Sequence, residues 1–194
     1  MTLKFDAVLF DCDGVLVDSE PITNGVLRDM LEEQGWKLSA DECMRLFIGK
    51  AVKDEAALIE VNTGQAVTEH WMQRFRERRN EGLVARVTPI RGAVGAAAAI
   101  HALYQGRIFS GHEMPRSKPA PDVYLAAAAA LGVGPRRCAV VEDTVTGVMA
   151  GVAAGATVFG YSPPEAGHDA PDALIKVGAT RIFTDMSELA ALLG

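Results

Sequence analysis

The sequence predicts an α/β protein with a doubly wound parallel sheet and an inserted block of helices. Short apolar runs at residues 7–10 and 138–141 each end in acidic residues, which is typical of buried parallel strands that open into a site. After residue 92, helix and strand patterns alternate, as in doubly wound sheets. Between these parts, about seventy residues show helical periodicity alone, which favours an inserted helical domain.

The first predicted strand ends in two acids, Asp11 and Asp13, which are followed by Gly14. In an extended chain, residues two positions apart project to the same side, so the two carboxylates are expected to converge. No structural role favours two acids at the end of a buried strand, because their burial is costly. Hard oxygen ligands favour Mg²⁺, and a carboxylate held in line with a phosphorus atom can act as a nucleophile.

Capping residues predict where the inserted helices begin and end. Ser39 with Glu42 forms a capping box, and Gly49 is expected to end the helix that follows. A third helix should run to Gly64, and a fourth should be capped near Thr68. The block therefore has the local signals of a folded helical domain.

Two linkers delimit the predicted domains. We expect a core domain of residues 1–16 and 88–194, with a helical domain over residues 17–87 inserted into it. The linkers lie near residues 16–21 and 87–92. A helical domain inserted in this way is expected to cover the site as a cap.

The remaining core elements follow from periodicity and from turn residues. Gly147, Gly151 and Gly155 are spaced so that one helix can pack closely on the sheet. Asp143 is expected to cap that helix in addition to any role in a site. The predicted elements are helices over 93–103, 121–131 and 144–154, strands over 107–110, 138–141, 156–160 and 181–183, and a final helix capped by Ser187.

Composition and charge argue against several classes of protein. The chain of 194 residues has a net charge of −6, which argues against a nucleic-acid or anionic-membrane surface. The basic residues at 74–79 are interspersed with acids on a predicted helix, which favours a solvated face. No apolar run reaches membrane-spanning length, and the N-terminus lacks a signal-peptide pattern. We expect a cytoplasmic monomer without nucleic-acid or membrane partners.

The cysteines fit no metal-ligand spacing, which agrees with a reducing compartment. Cys12 lies between Asp11 and Asp13, whose negative charges should raise its pKa. We interpret Cys12 as a small strand residue and not as a nucleophile.

Three motifs stand in a fixed order along nearly the whole chain: Asp11 with Asp13, Lys118 within Arg116-Ser117-Lys118-Pro119-Ala120-Pro121-Asp122, and Glu142-Asp143-Thr144 followed by Gly147. Each motif alone is weak, and a lysine before a proline could simply be a surface residue at a helix start. The ordered set resembles motifs one, three and four of the haloacid dehalogenase (HAD) superfamily, as found in its phosphatases and phosphomutases. The resemblance implies a Rossmann-like core with a helical cap.

The resemblance also implies a role for each of these residues. Asp11 would attack phosphorus to form an aspartyl-phosphate, and Asp13 would protonate the leaving oxygen and later activate water. Lys118 and Mg²⁺ would offset the charge of the phosphoryl oxygens. The Mg²⁺ ligands would be the carboxylates of Asp11, Glu142 and Asp143 and the main-chain carbonyl of Asp13.

Substrate contacts are expected from the core and from the helical domain. Amide groups of the loop at Gly14 would donate to the phosphate, alongside Lys118. Residues 47–50 resemble a helix-ending loop that leans over the active site in relatives, so Lys50 is a candidate substrate contact. A solvated lysine after a capping glycine is the alternative. Glu20 is a weaker candidate.

The second motif of the superfamily, a Ser or Thr at the end of the next core strand, has no counterpart in the expected position. The helix over 93–103 passes through Tyr104 directly to Gly106, where a strand and a helix of roughly 25 residues are expected. Ser110 does not fill the position of the second motif. In relatives, the segment that resembles residues 108–111 comes after that strand and helix. We interpret the difference as residues missing between about Tyr104 and Gly106, which a Cα separation well above 3.8 Å would reveal.

The resemblance implies Mg²⁺-dependent hydrolysis of a small phosphate monoester, such as a sugar phosphate, through an aspartyl-phosphate. A phosphomutase resembling β-phosphoglucomutase is the nearest alternative. An inactive binding module is a third hypothesis, because the Ser or Thr of the second motif is missing. A dehalogenase is disfavoured, since that branch does not use the second aspartate that Asp13 supplies.

Overall fold

The structure is a computed structural model that describes residues 4–48, 50–100, 114–164 and 168–194. The chain divides into two compact units, one formed by Met1–Val17 with Pro89–Gly194 and the other by Asp18–Thr88. Within the described ranges, no helix has both the length and the apolar character needed to cross a membrane.

The first unit is built on a parallel sheet. Its strands are β1 (Ala7–Phe10), β2 (Cys138–Glu142), β3 (Thr157–Tyr161) and β4 (Arg181–Phe183), and they lie side by side in that order. Each neighbouring pair is parallel. The predicted α/β class with a parallel sheet is therefore confirmed.

Helices of both units connect or follow these strands. The α-helices are α1 (Glu20–Glu33), α2 (Ala40–Phe47), α3 (Ala56–Thr63), α4 (Glu69–Arg86), α5 (Ala93–Ile100), α6 (Asp122–Leu131), α7 (Val145–Ala154), α8 (Pro171–Lys176) and α9 (Leu189–Leu193). Short 3₁₀ helices lie at Val52–Glu55, Pro135–Arg137 and Met186–Glu188.

Successive residues of β2 face opposite sides of the sheet, and each side is covered. Val141 belongs to a buried cluster that includes Leu189 of α9, whereas Val140 belongs to a second cluster with Val148 of α7 and Leu174 of α8. Every residue of β2 is buried. Helices on both faces of a parallel sheet define the doubly wound arrangement.

Glycines allow α7 to approach the sheet closely, as predicted. A Cβ atom on Gly151 would lie 2.8 Å from Cγ2 of Val158 and 3.2 Å from Cγ1 of Val140. Gly155 ends the helix with a φ of +86°, a conformation that side chains other than glycine rarely adopt. Gly151 therefore serves close packing on the sheet, and Gly155 serves the end of the helix.

The helical unit confirms the predicted caps. The Ser39 hydroxyl accepts from the Glu42 amide, and the Glu42 carboxylate accepts from the Ser39 amide at 2.9 Å. Thr68 caps α4 by accepting from the amide of Trp71 at 3.2 Å, and Gly64 ends α3 with a φ of 69°. The buried cluster of this unit comprises Val26, Leu27, Met30, Leu31, Cys43, Phe47, Ile59, Trp71 and Phe75.

Two predicted caps of the core are wrong. The side chain of Asp185, not that of Ser187, accepts a hydrogen bond at the start of the 3₁₀ turn that precedes α9. Thr144, not Asp143, caps α7, because its extended backbone brings the hydroxyl to the amide of Gly147 at 3.2 Å. One oxygen of the Asp143 carboxylate lies instead against Nδ1 of His168.

Some predictions fall outside the described residues. These are the helix end at Gly49, the part of the helix over 93–103 beyond α5, and the strand over 107–110 with Ser110. The chain between Tyr104 and Gly106 also lies outside the described residues. That residues carrying the second motif are missing at this point therefore stays a prediction.

Candidate active site

Three carboxylates meet at the carboxyl ends of β1 and β2. Asp11 directly follows β1, and its amide donates to the carbonyl of Val141 at 3.0 Å. Glu142 ends β2, and Asp143 comes next. Because parallel neighbours end at the same edge of a sheet, one carboxylate oxygen from each acid lies within 4.8 Å of the others. We call Asp11, Glu142 and Asp143 the acidic cluster.

Lys118 supplies positive charge to the acidic cluster. Its Nζ lies 2.7 Å from Oδ1 of Asp11 and 2.5 Å from Oε1 of Glu142. Only 24% of its side chain is exposed, so Lys118 is not the surface lysine of the alternative interpretation. Arg116 donates twice to Asp122, the first residue of α6, and so holds the loop that carries Lys118. Burial disfavours the ammonium, but the two carboxylates outweigh it and raise the pKa of Lys118.

Burial disfavours the charged forms of two acids of the acidic cluster. Burial first, and then the negative charge of Glu142, raise the pKa of Asp11 from 3.8 to about 6. Burial is also the main reason that the pKa of Asp143 is raised. Oδ1 of Asp143 is buried and accepts no hydrogen bond from any described residue. A hard cation bound by carboxylate oxygens would stabilise the ionised acids and would give Oδ1 of Asp143 a partner. The residues therefore fit Mg²⁺.

Tyr124 is a site residue that no motif indicated. It is 4% exposed on α6, and its hydroxyl donates to Oε1 of Glu142. Its ring centroid lies 5.3 Å from Nζ of Lys118. Burial and the charge of Glu142 raise the pKa of the Tyr124 hydroxyl, which keeps it protonated as a donor. A buried tyrosine hydroxyl usually needs a hydrogen-bond partner. A tyrosine on a largely apolar helix was therefore the feature of the sequence that could have indicated Tyr124.

His168 is a second residue that the motifs did not indicate. Its Nδ1 lies 3.1 Å from Oδ2 of Asp143. Its ring packs edge-on to Tyr161, with centroids 5.4 Å apart. The pair His168 and Asp143 is separated by 25 residues, so no local pattern connects them.

Glycines make room for the carboxylates. A Cβ atom on Gly147 would lie within 2.0 Å of both carboxylate oxygens of Glu142. Gly14 has a φ of +75°, and a Cβ atom there would lie 2.2 Å from Oδ2 of Asp143. The amide of Gly14 donates to the carbonyl of Val17 at 2.9 Å, and its contact with phosphate stays a prediction.

Asp13 does not converge with the acidic cluster. The chain bends at Cys12 and turns over residues 14–16 instead of continuing as a strand, which leaves the Asp13 side chain exposed and outside the cluster. Its charge still contributes to the raised pKa of Asp11. Cys12 lies in this bend and not in a strand, and burial, followed by the charges of Asp13 and Asp11, raises its pKa.

Two predicted substrate contacts lie in the helical unit. Nζ of Lys50 lies 3.3 Å from Oε1 of Glu55. Oε2 of Glu20 accepts from the side-chain amide of Asn24 at 2.9 Å. Roles for Glu20 and Lys50 in substrate binding stay predictions.

The raised pKa of Asp11 predicts how stability depends on pH without metal. The folded protein holds this proton more tightly than the unfolded chain, so the stabilisation is fully present below about pH 4 and is lost as pH rises through about 6. We expect the melting temperature of the metal-free protein to fall across this window relative to that of Asp11→Asn. Excess Mg²⁺ at pH 7 should restore it. A constant difference between the two proteins from pH 4 to pH 7 would contradict this prediction.

Comparison with known proteins places these features in a family. Two family models, both described as haloacid dehalogenase-like hydrolase, match residues 8–105 and 85–155. The 6-phosphogluconate phosphatase of Escherichia coli is 27% identical over 214 residues, which cover 97% of this chain and 95% of that protein. This alignment is longer than the 194 residues of the chain, so the relative has residues without a counterpart here.

Two further relatives agree with this assignment. Hexitol phosphatase A of Escherichia coli is 29% identical, over 84% of this chain and 85% of its own length. The crystal structure of a HAD family hydrolase from Deinococcus radiodurans, with bound phosphate and sodium, has a TM-score of 0.78 and 35% identity, covering 98% of this chain and 96% of that one. With one family model matching half of its residues and a solved relative aligned over nearly all of them, the chain belongs to the haloacid dehalogenase-like hydrolase family.

Proposed function

We propose that this chain is a Mg²⁺-dependent phosphatase that hydrolyses a small, sugar-derived phosphate monoester through an aspartyl-phosphate on Asp11. The observation that carries this proposal is the Asp11 carboxylate, held against Lys118 and beside two buried acids where two parallel strands end. The relatives named 6-phosphogluconate phosphatase and hexitol phosphatase A support this substrate class. The solved relative with bound phosphate supports the same site chemistry.

The proposed reaction has two displacements at phosphorus. In the first, a carboxylate oxygen of Asp11 bonds to phosphorus, the ester P–O bond breaks, and Asp13 gives its proton to the leaving oxygen. In the second, Asp13 takes a proton from water, whose oxygen bonds to phosphorus. The bond between phosphorus and Asp11 then breaks, so that inorganic phosphate leaves and the carboxylate is regenerated. One water molecule is consumed for each ester.

Charge compensation is the main task of the remaining residues. Lys118 faces Asp11 with an ammonium whose raised pKa keeps it charged at neutral pH. Tyr124 and Lys118 both donate to Glu142 and fix its carboxylate. Mg²⁺ held by the acidic cluster would supply further positive charge next to the phosphoryl oxygens.

Replacing Lys118 with methionine should lower kcat/KM by about 100-fold, because the charge that offsets the phosphoryl oxygens is lost. The measurement is release of inorganic phosphate with Mg²⁺ present. Lys37→Met is the matched control, since 80% of the Lys37 side chain is exposed. Equal activity of the Lys118→Met variant and the control would contradict the role of Lys118.

A panel of phosphate monoesters tests the proposed function itself. We expect phosphate release from sugar-acid, hexitol or hexose phosphates that requires Mg²⁺ and is abolished by Asp11→Asn. Interconversion of hexose phosphates without phosphate release would identify a mutase. Binding of these esters without any turnover would identify an inactive binding module and overturn the proposal.

A further inference from the structure

The two carboxylate oxygens of Asp143 lie in different environments. Oδ2 is 3.1 Å from Nδ1 of His168. Oδ1 is buried and has no hydrogen-bond partner among the described residues. Asp143 as a whole is 2% exposed, so solvent does not compensate the unpartnered oxygen. One oxygen is therefore held by His168, while the other has no donor among the residues that the structure describes.

The position of His168 is fixed by its surroundings. Its side chain is 8% exposed and packs edge-on to Tyr161. The amide of the next residue, Asp169, donates to the main-chain carbonyl of Asp143 at 3.1 Å. The Asp169 carboxylate also accepts from the amide of Val145 at 2.6 Å, at the start of α7. Residues 168 and 169 are thus attached to the β2–α7 connection, with the imidazole against Asp143.

We propose that His168 is a positioning residue that holds Oδ2 of Asp143, so that the unpartnered Oδ1 is presented to the Mg²⁺ of the proposed phosphatase site. This inference rests on the proposed function. When Asp143 is ionised its carboxylate can only accept, so Nδ1 then carries the hydrogen in this contact. Outer hydrogen bonds of this kind orient metal-binding carboxylates, and their loss typically weakens metal affinity about 10- to 100-fold.

Gly14 supports the assignment of Oδ2 to this role. A Cβ atom at Gly14 would lie 2.2 Å from Oδ2 and 3.5 Å from Cε1 of His168. The backbone at Gly14 and the imidazole therefore both crowd the Oδ2 side of the carboxylate. This arrangement leaves Oδ1 as the oxygen available to a cation.

Two substitutions separate positioning from packing. His168→Phe keeps a flat ring against Tyr161 but removes the donor, whereas His168→Asn offers an amide donor at about the reach of Nδ1. We expect the dissociation constant for Mg²⁺ alone, measured by calorimetry on the metal-free protein, to rise about 10- to 100-fold in His168→Phe. His168→Asn should stay within a few-fold of the wild type. His70→Phe, at an exposed histidine of α4, is the matched control and should not change the affinity.

The outcomes distinguish this inference from the function on which it rests. Wild-type affinity for Mg²⁺ in His168→Phe would overturn the positioning role and leave the phosphatase proposal intact. An equal loss of affinity in both His168 variants, with equally lowered melting temperatures in chelator, would show a purely structural role and would also overturn it. If His168→Phe does not fold, the affinity of His168→Asn for Mg²⁺ tests the proposal instead. An affinity for Mg²⁺ that is about 10-fold weaker in that folded variant would contradict the proposal. Absence of Mg²⁺ binding by the wild type would overturn both proposals.

Discussion

Asp11→Asn is expected to lower turnover at least about 1,000-fold, because the amide keeps the shape of the side chain but removes the nucleophilic charge. The same change should stabilise the metal-free protein at pH 7. Burial and the charge of Glu142 raise the pKa of Asp11 to about 6, so the ionised carboxylate is disfavoured in the folded state. Phosphate release and the melting temperature in chelator measure the two effects.

This combination of results distinguishes loss of chemistry from loss of folding. An inactive Asp11→Asn variant with a lowered melting temperature would leave misfolding as the cause and contradict the second expectation. Substantial turnover by a folded Asp11→Asn variant would exclude Asp11 as the nucleophile. Asp29→Asn is a suitable control, since 64% of the Asp29 side chain is exposed and its carboxylate pairs with the neighbouring Arg28.

Gly147→Ala is expected to remove activity and Mg²⁺ binding together. The new Cβ would lie 1.9 Å from the carboxyl carbon of Glu142, so either that carboxylate or α7 must move. Glu142 is fully buried and bonded to Lys118 and Tyr124, and its displacement would disrupt these contacts. Overpacking of this kind costs about 1–3 kcal/mol in stability. Phosphate release, Mg²⁺ titration and denaturant unfolding measure these losses.

Gly95→Ala is the matched control for this substitution. Gly95 also lies in a helix of the first unit, and none of the described residues lies within 4 Å of the Cβ atom that alanine would add. Because alanine is the better helix former, the control should gain up to about 1 kcal/mol. Normal Mg²⁺ affinity in Gly147→Ala would show that the Glu142 carboxylate tolerates the shift.

The sequence alone predicted the features that depend on neighbours in the chain or on a general rule of sheets. The capping box of Ser39 and Glu42 is readable because its partners are three residues apart. The meeting of Asp11 with Glu142 and Asp143 follows from parallel strands, whose carboxyl ends share one edge. The predicted caps at Asp143 and Ser187 failed because a shift of one or two residues changes which side chain reaches the free amides.

Only the tertiary structure decided which side chains complete the site. The resemblance to a known motif indicated Lys118, whose contact with Asp11 spans 107 residues of sequence. No motif indicated Tyr124, or His168, which lies 25 residues from Asp143. No periodicity encodes such contacts, because they depend on how α6 and residues 168 and 169 pack against the end of β2. Asp13 shows the same dependence, since the bend at Cys12 leaves its exposed side chain outside the acidic cluster while its charge still raises the pKa of Asp11. The sequence determined which charges gather at the sheet edge, and packing decided how each carboxylate is held there.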